Sequence, residues 1–328
     1  MTPLSVMSYN VRYFGHPVRG VFSTRRGVRN IAERLAGLYH LPDVVCLQEV
    51  ETRSLRATRT HSKNGSGPAP LAPPAVESRG NGAEPPTQLD TLLTSLDTAL
   101  ERRGISERFD AYYFGAHEYR LTKSTNIYTT GLAVLAKRGL KVLDHNAKQP
   151  CDITHRSQLV RLKQTRICAH LAFESPAGDR VDVFNTHLSL PSFWSKRFWT
   201  DSHRMGFGEN QLNEAALLSR FIREQKRSEN VIVAGDFNSL PGSPVDQFLR
   251  SEAGLQDAYQ TLHEPAAEHA RRFPTAGFMN LRMHIDHLYA SPSVRWLDLE
   301  GTHAFGMDGH FNGLSDHVPL IARFAVHR

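Results

Sequence analysis

The chain has 328 residues, enough for one large hydrophobic core or two smaller ones, and its 40% hydrophobic and 22% charged residues are those of an ordinary globular protein. No apolar run is long enough to span a bilayer, residues 1–9 lack the pattern of a secretory signal, and three cysteines without metal-ligand spacing argue against a disulfide framework, so we expect a cytoplasmic protein. The net charge of +6 favours a polyanionic partner, either nucleic acid or an anionic membrane surface.

Strand-like and helix-like segments alternate along the chain. The first half predicts a strand at 4–9, a helix with apolar residues at helical spacing, a short buried strand at 44–47 and a second amphipathic helix. The apolar positions that mark the two helices are Val28, Ile31, Leu35 and Leu38 in the first, and Leu89, Leu92, Leu93, Leu96 and Leu100 in the second.

The second half of the chain continues the alternation without an internal repeat. Leu218, Phe221 and Ile222 help to mark a third helix. Strand-like runs recur at 131–135, 167–173, 181–184, 231–234, 285–289 and 320–326. The whole pattern predicts an α/β protein in which packed sheets are flanked by helices.

Two segments depart from this pattern. Residues 58–86 are dense in Pro, Gly, Ser and Ala, which predicts a flexible surface insertion within one domain. Residues 190–208 predict a large loop in which aromatic residues alternate with Lys and Arg. Such a loop suits base stacking beside a phosphate track, or a position at a lipid interface, or a local core with its aromatic residues folded inward.

Polar residues follow or interrupt the apolar runs throughout the chain. Side chains at strand ends can converge on one rim of a sheet, and carboxylates, amides and imidazoles gathered there are what phosphate-ester hydrolysis requires. These residues are Asn10, Glu49, Asn185, His187, Asp236, Asn238, Asp286, Asp316 and His317.

In this order the motifs resemble those of the endonuclease/exonuclease/phosphatase superfamily over residues 8–324, most specifically in GDFNSLPGSP and LSDHVPL. The resemblance implies a four-layer α/β sandwich, two packed mixed sheets flanked by helices, that forms one catalytic domain over 1–328. It also implies a phosphodiesterase that depends on Mg²⁺ or Mn²⁺. By resemblance, Glu49 is the principal metal ligand, with Asn10 and Asp316 completing the site through water. Arg166 matches a phosphate-binding arginine, or is a solvated arginine at a strand end.

The remaining motif residues correspond to the groups that act on water and phosphate in the family. By resemblance, His317 is paired with Asp286 and polarises or deprotonates the attacking water, which Asp236 orients. Asn238 donates a hydrogen bond to the reacting phosphate, and His187 contacts a phosphate oxygen. A histidine beside a carboxylate is held in one tautomer and can carry positive charge during proton transfer, which supports the pairing independently.

Three functions remain open. The first is a nuclease or nucleotide phosphodiesterase, and the second a sphingomyelinase-like lipid phosphodiesterase that meets the membrane surface through 190–208. The third, an inactive binding module, is disfavoured because no motif residue is missing. Residues 283–287, MHIDH, argue against a 5-phosphatase. The positive charge favours nucleic acid as the substrate, and we expect a monomer.

Overall fold

The computed structural model describes residues 3–14, 24–51, 87–122, 125–155, 165–191, 204–263, 273–278, 281–300 and 309–326. The predicted insertion at 58–86 and residues 192–203 of the predicted loop lie outside this part of the chain. Both therefore stay predictions.

The first sheet contains six strands. They are β1 (Leu4–Asn10), β2 (Val44–Glu51), β3 (Phe109–Thr122), β4 (Thr125–Lys137), β14 (Val294–Glu300) and β15 (Leu320–Val326). Their order is β14-β15-β1-β2-β4-β3, and β1 is central because it pairs in parallel with β2 and antiparallel with β15.

The second sheet contains seven strands. They are β5 (Lys141–His145), β6 (Cys151–Asp152), β7 (Ile167–Glu174), β8 (Arg180–His187), β9 (Val231–Asp236), β10 (Gln256–Asp257) and β13 (Asp286–Ala290). The order is β10-β13-β9-β8-β7-β5, with β6 paired to β7. Strands β11 (Ala276–Phe278) and β12 (Leu281–Met283) form a separate antiparallel pair.

Five α-helices lie in the described part of the chain. They are α1 (Thr24–Ala36), α2 (Gln88–Arg102), α3 (Glu209–Gln225), α4 (Pro244–Ser251) and α5 (Ala258–Leu262). The N-terminus of α2 carries a capping box between Thr87 and Asp90, which satisfies backbone donors that the first turn leaves free. The side chain of Ser243 caps α4 in the same way, with Pro244 at the first helical position. No helix among these residues is both long and apolar enough to cross a membrane.

Three hydrophobic clusters define the layers. One fills the space between the two sheets and includes Val6 and Ile232. A second lies between the first sheet and helices α1 and α2, and a third between the second sheet and helices α3 and α4. The order helix, sheet, sheet, helix is a four-layer α/β sandwich, so the predicted fold class is confirmed.

A polar layer interrupts the apolar core between the sheets. Gln48 Nε2 donates to Ser8 Oγ at 3.2 Å and, across the gap, to Asn185 Oδ1 at 2.8 Å. Asn185 Nδ2 donates back to the carbonyls of Leu47 and Ala133, at 3.0 and 3.1 Å. The three bonds of Asn185 join residues of different sheets, so they fix how one sheet sits on the other.

A buried histidine should make stability depend on pH. His287 Nδ1 lies 2.8 Å from Asp257 Oδ2 and its Nε2 lies 2.8 Å from the Ser239 carbonyl, so both ring nitrogens donate and the ring is cationic. Burial alone lowers the pKa of His287, but Asp257 and its neighbours raise it to about 9. A raised pKa stabilises the fold fully below pH 6.5, and that stabilisation is lost as the pH rises through about 9.

We therefore expect the contribution of His287 to the free energy of unfolding to fall by on the order of 3 kcal/mol between pH 6.5 and 9.5. Urea unfolding of the unchanged protein and of Asp257→Asn measures this, since Asn keeps the cap of α5 but removes the anion that raises the pKa. The fall should shift to lower pH in the variant. Identical pH profiles for the two proteins would contradict the pairing.

Candidate active site

Three neighbouring strands of the second sheet carry polar residues that lie next to one another in a row across the sheet. In the parallel pair β8 and β9, His187 is the partner of Asp236, and in the antiparallel pair β9 and β13, Asp286 is the partner of Asp236. Partners in a ladder share a face of the sheet. On β9 that face carries Ile232 and Ala234, which pack between the sheets. His187, Asp236 and Asp286 are therefore side by side at the edge of the inter-sheet space, and all three are buried.

The first sheet contributes Asn10 and Glu49 to the same place. Asn10 Nδ2 donates to Asp236 Oδ2 at 3.0 Å and lies 3.3 Å from Glu49 Oε1. His187 Nε2 lies 4.0 Å from the same Glu49 oxygen. Residues from both sheets thus line one site at their common rim.

Glu49 reaches this site through an irregularity in β2. The sequence predicted a short strand at 44–47 followed by Glu49, but β2 continues to Glu51, and its register with β4 shifts between Leu47 and Val50. By strict alternation Glu49 would point towards the helices, as Leu47 does. The bulge and a φ of 55° at Glu49 turn its carboxylate towards Asn10 instead.

Asp286 and His317 form a close pair. His317 Nδ1 lies 2.8 Å from Asp286 Oδ2, and His317 Nε2 lies 3.7 Å from Asp236 Oδ2. The backbone N–H of Asp286 donates to Thr275 Oγ1 at 3.0 Å, and that of His317 to Ser315 Oγ at 3.2 Å. Both members of the pair are held by neighbouring hydroxyl groups.

Asn238 and His187 meet on the other side of Asp236. The backbone N–H of Asn238 donates to Asp236 Oδ1 at 3.0 Å, and Asn238 Nδ2 lies 3.4 Å from His187 Nε2. Asn238 Nδ2 also donates to the carbonyl of Leu188 at 2.9 Å. Asn238 has a φ of 47°, a left-handed conformation that asparagine tolerates better than most residues.

Arg166 lines a cleft that opens from these residues. Its Nε lies 3.4 Å from Ser189 Oγ, and its cationic group faces the same cavity as the carboxylate of Glu49. The cleft is lined by Glu49, Ala116, Thr130, Gly131, Leu132, Thr165, Arg166, Ile167 and His187. The structure therefore brings Arg166 into the group predicted to bind phosphate.

Asp316 has an ion-pair partner that the sequence analysis did not identify. Arg12 Nη1 lies 2.5 Å from Asp316 Oδ2 at the half-exposed edge of the site. Arg12 begins a single turn, Arg12–Phe14, in which all three residues have positive φ and which follows directly after β1. In the sequence, the place of Arg12 near the site is indicated only by its position two residues after Asn10 in YNVR.

Burial raises the pKa values of two acidic groups of the site. It raises the pKa of Glu49, against the opposing effects of His317 and of the hydrogen bond from Asn10. Burial and the nearby charge of Asp286 raise the pKa of Asp236 to about 7. Negative charge is therefore crowded into a space that solvates it poorly.

The two imidazoles of the site are shifted in opposite directions. Burial alone would lower the pKa of His317, but the carboxylates of Asp286 and Asp236 raise it to about 10. Burial, reinforced by the positive charges of Arg166 and His317, lowers the pKa of His187 well below its usual value. At neutral pH one imidazole is cationic and the other neutral.

The residues present fit a hard divalent cation. The carboxylates of Asp236 and Asp286 offer ligand oxygens within 4.8 Å of each other beside the cationic His317, and Asp286 Oδ1 is buried without a hydrogen-bond partner in the described part of the chain. The carboxylate of Glu49 adds further oxygen atoms nearby, held by the Asn10 amide, whose own Oδ1 accepts from the N–H of Arg12. Carboxylate and amide oxygens crowded with negative charge suit Mg²⁺ or Mn²⁺.

A second acidic group does not fit a metal ion. Asp246, Asp257 and His287 also lie within 4.8 Å of one another. Both ring nitrogens of His287 are already used in hydrogen bonds, and Asp246 accepts from Gln260 Nε2 and Tyr289 Oη. This cluster is a satisfied polar network behind β13.

Comparison with known proteins identifies related sequences. The sequence model of the endonuclease/exonuclease/phosphatase family matches residues 7–317. The Arabidopsis thaliana carbon catabolite repressor protein 4 homolog 4 is 28% identical over 194 residues, 52% of this chain and 44% of that protein. The inositol phosphosphingolipids phospholipase C of Schizosaccharomyces pombe is 29% identical over 102 residues, 31% of this chain and 22% of that protein. The chain therefore spans less than half the length of either relative.

Solved structures show the same fold. An endonuclease/exonuclease/phosphatase from Bacteroides vulgatus superposes with a TM-score of 0.61 and 19% identity, over 100% of both chains. ANGEL2, described as a 2',3'-cyclic phosphatase in complex with adenosine-2',3'-vanadate, has a TM-score of 0.61 and 17% identity, over 99% of this chain and 96% of that one. At this identity the likeness concerns the fold alone.

Proposed function

This chain belongs to the endonuclease/exonuclease/phosphatase family, and we propose that it is a divalent-metal-dependent phosphodiesterase that acts on nucleic acid or nucleotides. The family's phosphoric ester hydrolases support the coarser part of this proposal. One observation carries the finer proposal. Two residues of the first sheet, Asn10 and Glu49, meet the row His187, Asp236 and Asp286 of the second sheet at their common rim.

In the proposed reaction the residues of the two sheets have separate tasks. Glu49 and Asn10, with Asp316, would hold the Mg²⁺ or Mn²⁺ ion. When bound, that ion would neutralise the negative charge that develops on the phosphoryl oxygens. Arg166 and His187 line the cleft and would bind the non-bridging oxygens of the same phosphate.

The second set of residues would act on the attacking water. Asp236 accepts hydrogen bonds and lies between the two histidines, so it is placed to orient a water molecule towards the phosphorus. Asn238 Nδ2 would donate to the phosphate from the side of His187. The cationic His317, held by Asp286, would stabilise negative charge at the same point.

Two observations bear on the substrate. The net charge of +6 and a cleft that carries Arg166 favour a polyanion such as nucleic acid. A lipid phosphodiesterase, sphingomyelinase-like in type, is the second candidate, because the S. pombe relative is named for a phosphosphingolipid. The loop at 190–208 is rich in aromatic and basic residues, and at its described end the side chain of Phe207 is 49% exposed. Such a loop suits either substrate.

An activity panel tests the proposal. Hydrolysis is measured with Mg²⁺ or Mn²⁺, and again with EDTA, on single- and double-stranded DNA, RNA, sphingomyelin, phosphatidylinositol phosphates and bis-p-nitrophenyl phosphate. We expect metal-dependent cleavage of a nucleic acid and of the small diester. Cleavage of lipids alone would replace the proposed substrate by the second candidate. Full activity in EDTA would refute the metal dependence.

We expect the loop at 190–208 to determine the substrate specificity. It begins three residues after His187, so its side chains can contact the non-reacting parts of a bound molecule. Changing Trp194 and Trp199 to Ala should lower kcat/KM on the natural substrate by roughly ten- to a hundred-fold, as for the loss of one or two stacking contacts. Turnover of bis-p-nitrophenyl phosphate should stay within a few-fold of its original value.

The same variants separate the two substrate classes. If the loop stacks on bases, they lose affinity for single-stranded nucleic acid and keep any binding to liposomes, whereas a membrane loop gives the reverse. Tyr39→Ala is the control, since Tyr39 is 92% exposed and precedes the start of β2, away from Glu49. Equal losses on small and large substrates with a lowered Tm would mean that the tryptophans form a local core.

A further inference from the structure

One buried side chain has all its hydrogen-bonding atoms in use beside the site. Gln211, in the first turn of α3, is fully buried. Its Oε1 accepts from the backbone N–H groups of Gly206 and Gly208, at 3.1 and 3.2 Å. Its Nε2 donates to the carbonyls of Ser189 and Asn238, at 2.9 and 2.8 Å. Both donors and both acceptor positions of the amide are thus satisfied.

These four contacts belong to three different chain segments. Ser189 immediately precedes the loop at 190–208, two residues after His187. Gly206 and Gly208 lie at its end. The fourth contact is the main chain of Asn238, whose side chain approaches His187. A single amide therefore ties both ends of the loop to the backbone of a proposed active-site residue.

The segments around Gln211 leave little freedom of movement. A Cβ on Gly206 would come within 2.2 Å of Ser243 Oγ, and the φ of Gly206 is +89°, so the end of the loop packs closely against the start of α4. Glu214, one turn further along α3, accepts from both the N–H and the Oγ of Ser189 at 2.7 Å. A shift of either end of the loop would therefore also change the hydrogen bonds of Gln211.

We propose that Gln211 is a positioning residue that couples the two chain segments at Ser189 and at Gly206–Gly208 to Asn238, so that the Asn238 side chain is held in line with the reacting phosphate. The inference rests on the proposed function, because it assigns Asn238 to the phosphate. The left-handed backbone of Asn238 has a modest cost even for asparagine, and the hydrogen bond from Gln211 to its carbonyl helps to hold it.

The test variant is Gln211→Glu. It has the same shape and keeps the acceptors for Gly206 and Gly208, but it places an oxygen against the carbonyls of Ser189 and Asn238. We expect kcat for bis-p-nitrophenyl phosphate, per folded protein, to fall about ten- to a hundred-fold, as for a small misplacement of an active-site group, with KM within a few-fold. The matched control is Asn213→Asp on the same helix. The Nδ2 of Asn213 donates to the exposed carbonyl of Glu209 at 3.0 Å, and the change should leave kcat unchanged.

A double variant separates positioning from a general loss of structure. Asn238→Gly removes the side chain and still permits a positive φ. If Gln211 acts through Asn238, then Gln211→Glu should lower kcat by no more than about two- to three-fold in the Asn238→Gly background. Losses that multiply fully, or a loss that only follows the fraction of unfolded protein, would overturn the inference. If Gln211→Glu does not fold, the uncharged Gln211→Met takes its place in the same cycle.

The outcome for Asn238→Gly alone distinguishes the two proposals. A single variant as active as the unchanged protein would remove Asn238 from the proposed function. An impaired single variant combined with multiplicative losses would leave that function standing and refute only the coupling through Gln211.

Discussion

Replacing Glu49 with Gln should lower kcat/KM for phosphodiester hydrolysis by roughly two to three orders of magnitude, the effect of removing one charge-stabilising group from an active site. The change keeps the shape of the side chain and its hydrogen bond with Asn10, but it removes the charge that attracts a hard cation. The concentration of Mg²⁺ or Mn²⁺ that gives half-maximal activity should rise as well.

Stability separates a lost metal site from a damaged fold. Burial disfavours the charged form of Glu49, so the metal-free Glu49→Gln protein should melt no lower than the unchanged protein. The unchanged protein should gain Tm when Mn²⁺ is added, because the ion binds the folded state, and the variant should lose that gain. Glu33→Gln, the same change at a surface ion pair with Arg103, is the control and should behave as the unchanged protein. Near-normal activity in Glu49→Gln would refute the metal assignment.

The largest stability effect is expected at His317. Its Nδ1 lies 2.8 Å from Asp286 Oδ2, and Asp286 is fully buried beside Asp236. His317→Ala leaves two neighbouring buried carboxylates without their cation, which should cost about 3–5 kcal/mol of unfolding free energy and abolish most hydrolysis. Adding Asp286→Asn removes one of the uncompensated charges and should restore part of that stability.

Activity of the same variants tests whether the pair acts as a unit. The double variant Asp286→Asn/His317→Ala should be little slower than His317→Ala, because residues that act together give non-additive losses. Asp182→Asn is the control. Asp182 pairs with His170 at 2.7 Å near the opposite end of β8, so kcat per folded protein should not change. Fully multiplicative losses for Asp286 and His317 would show that they act separately.

The elements that the sequence predicted well are those with a clear apolar period. The leucines of α2 and the apolar runs of β7, β8 and β9 all became buried faces. Strand β3 was missed because its polar and aromatic residues follow neither period for long, and only the last part of its partner β4 was identified. Strand β14 was missed although Val294 and Trp296 are buried and Arg295 is exposed, an alternation that was visible in the sequence.

The candidate site was predictable in composition but not in arrangement. Each motif residue ended or interrupted an apolar run, which local pattern can show. The inward turn of Glu49 depends on a bulge, and no local pattern predicts its effect, because alternation points that residue towards the helices. The role of Gln211 could not be predicted from the sequence for a different reason. Its hydrogen-bond partners lie up to 27 residues away, and only the tertiary fold brings them together.

The central position of β1 has a consequence for the order of events during synthesis. This strand carries Asn10, yet one of its two neighbours is β15, which the ribosome makes last among the strands described. Until residues 320–326 emerge, β1 has an open edge that can pair with another nascent chain. His317 also lacks the strand that follows it. Such long-range pairing slows folding, so the candidate site is completed only after β15 has paired with β1.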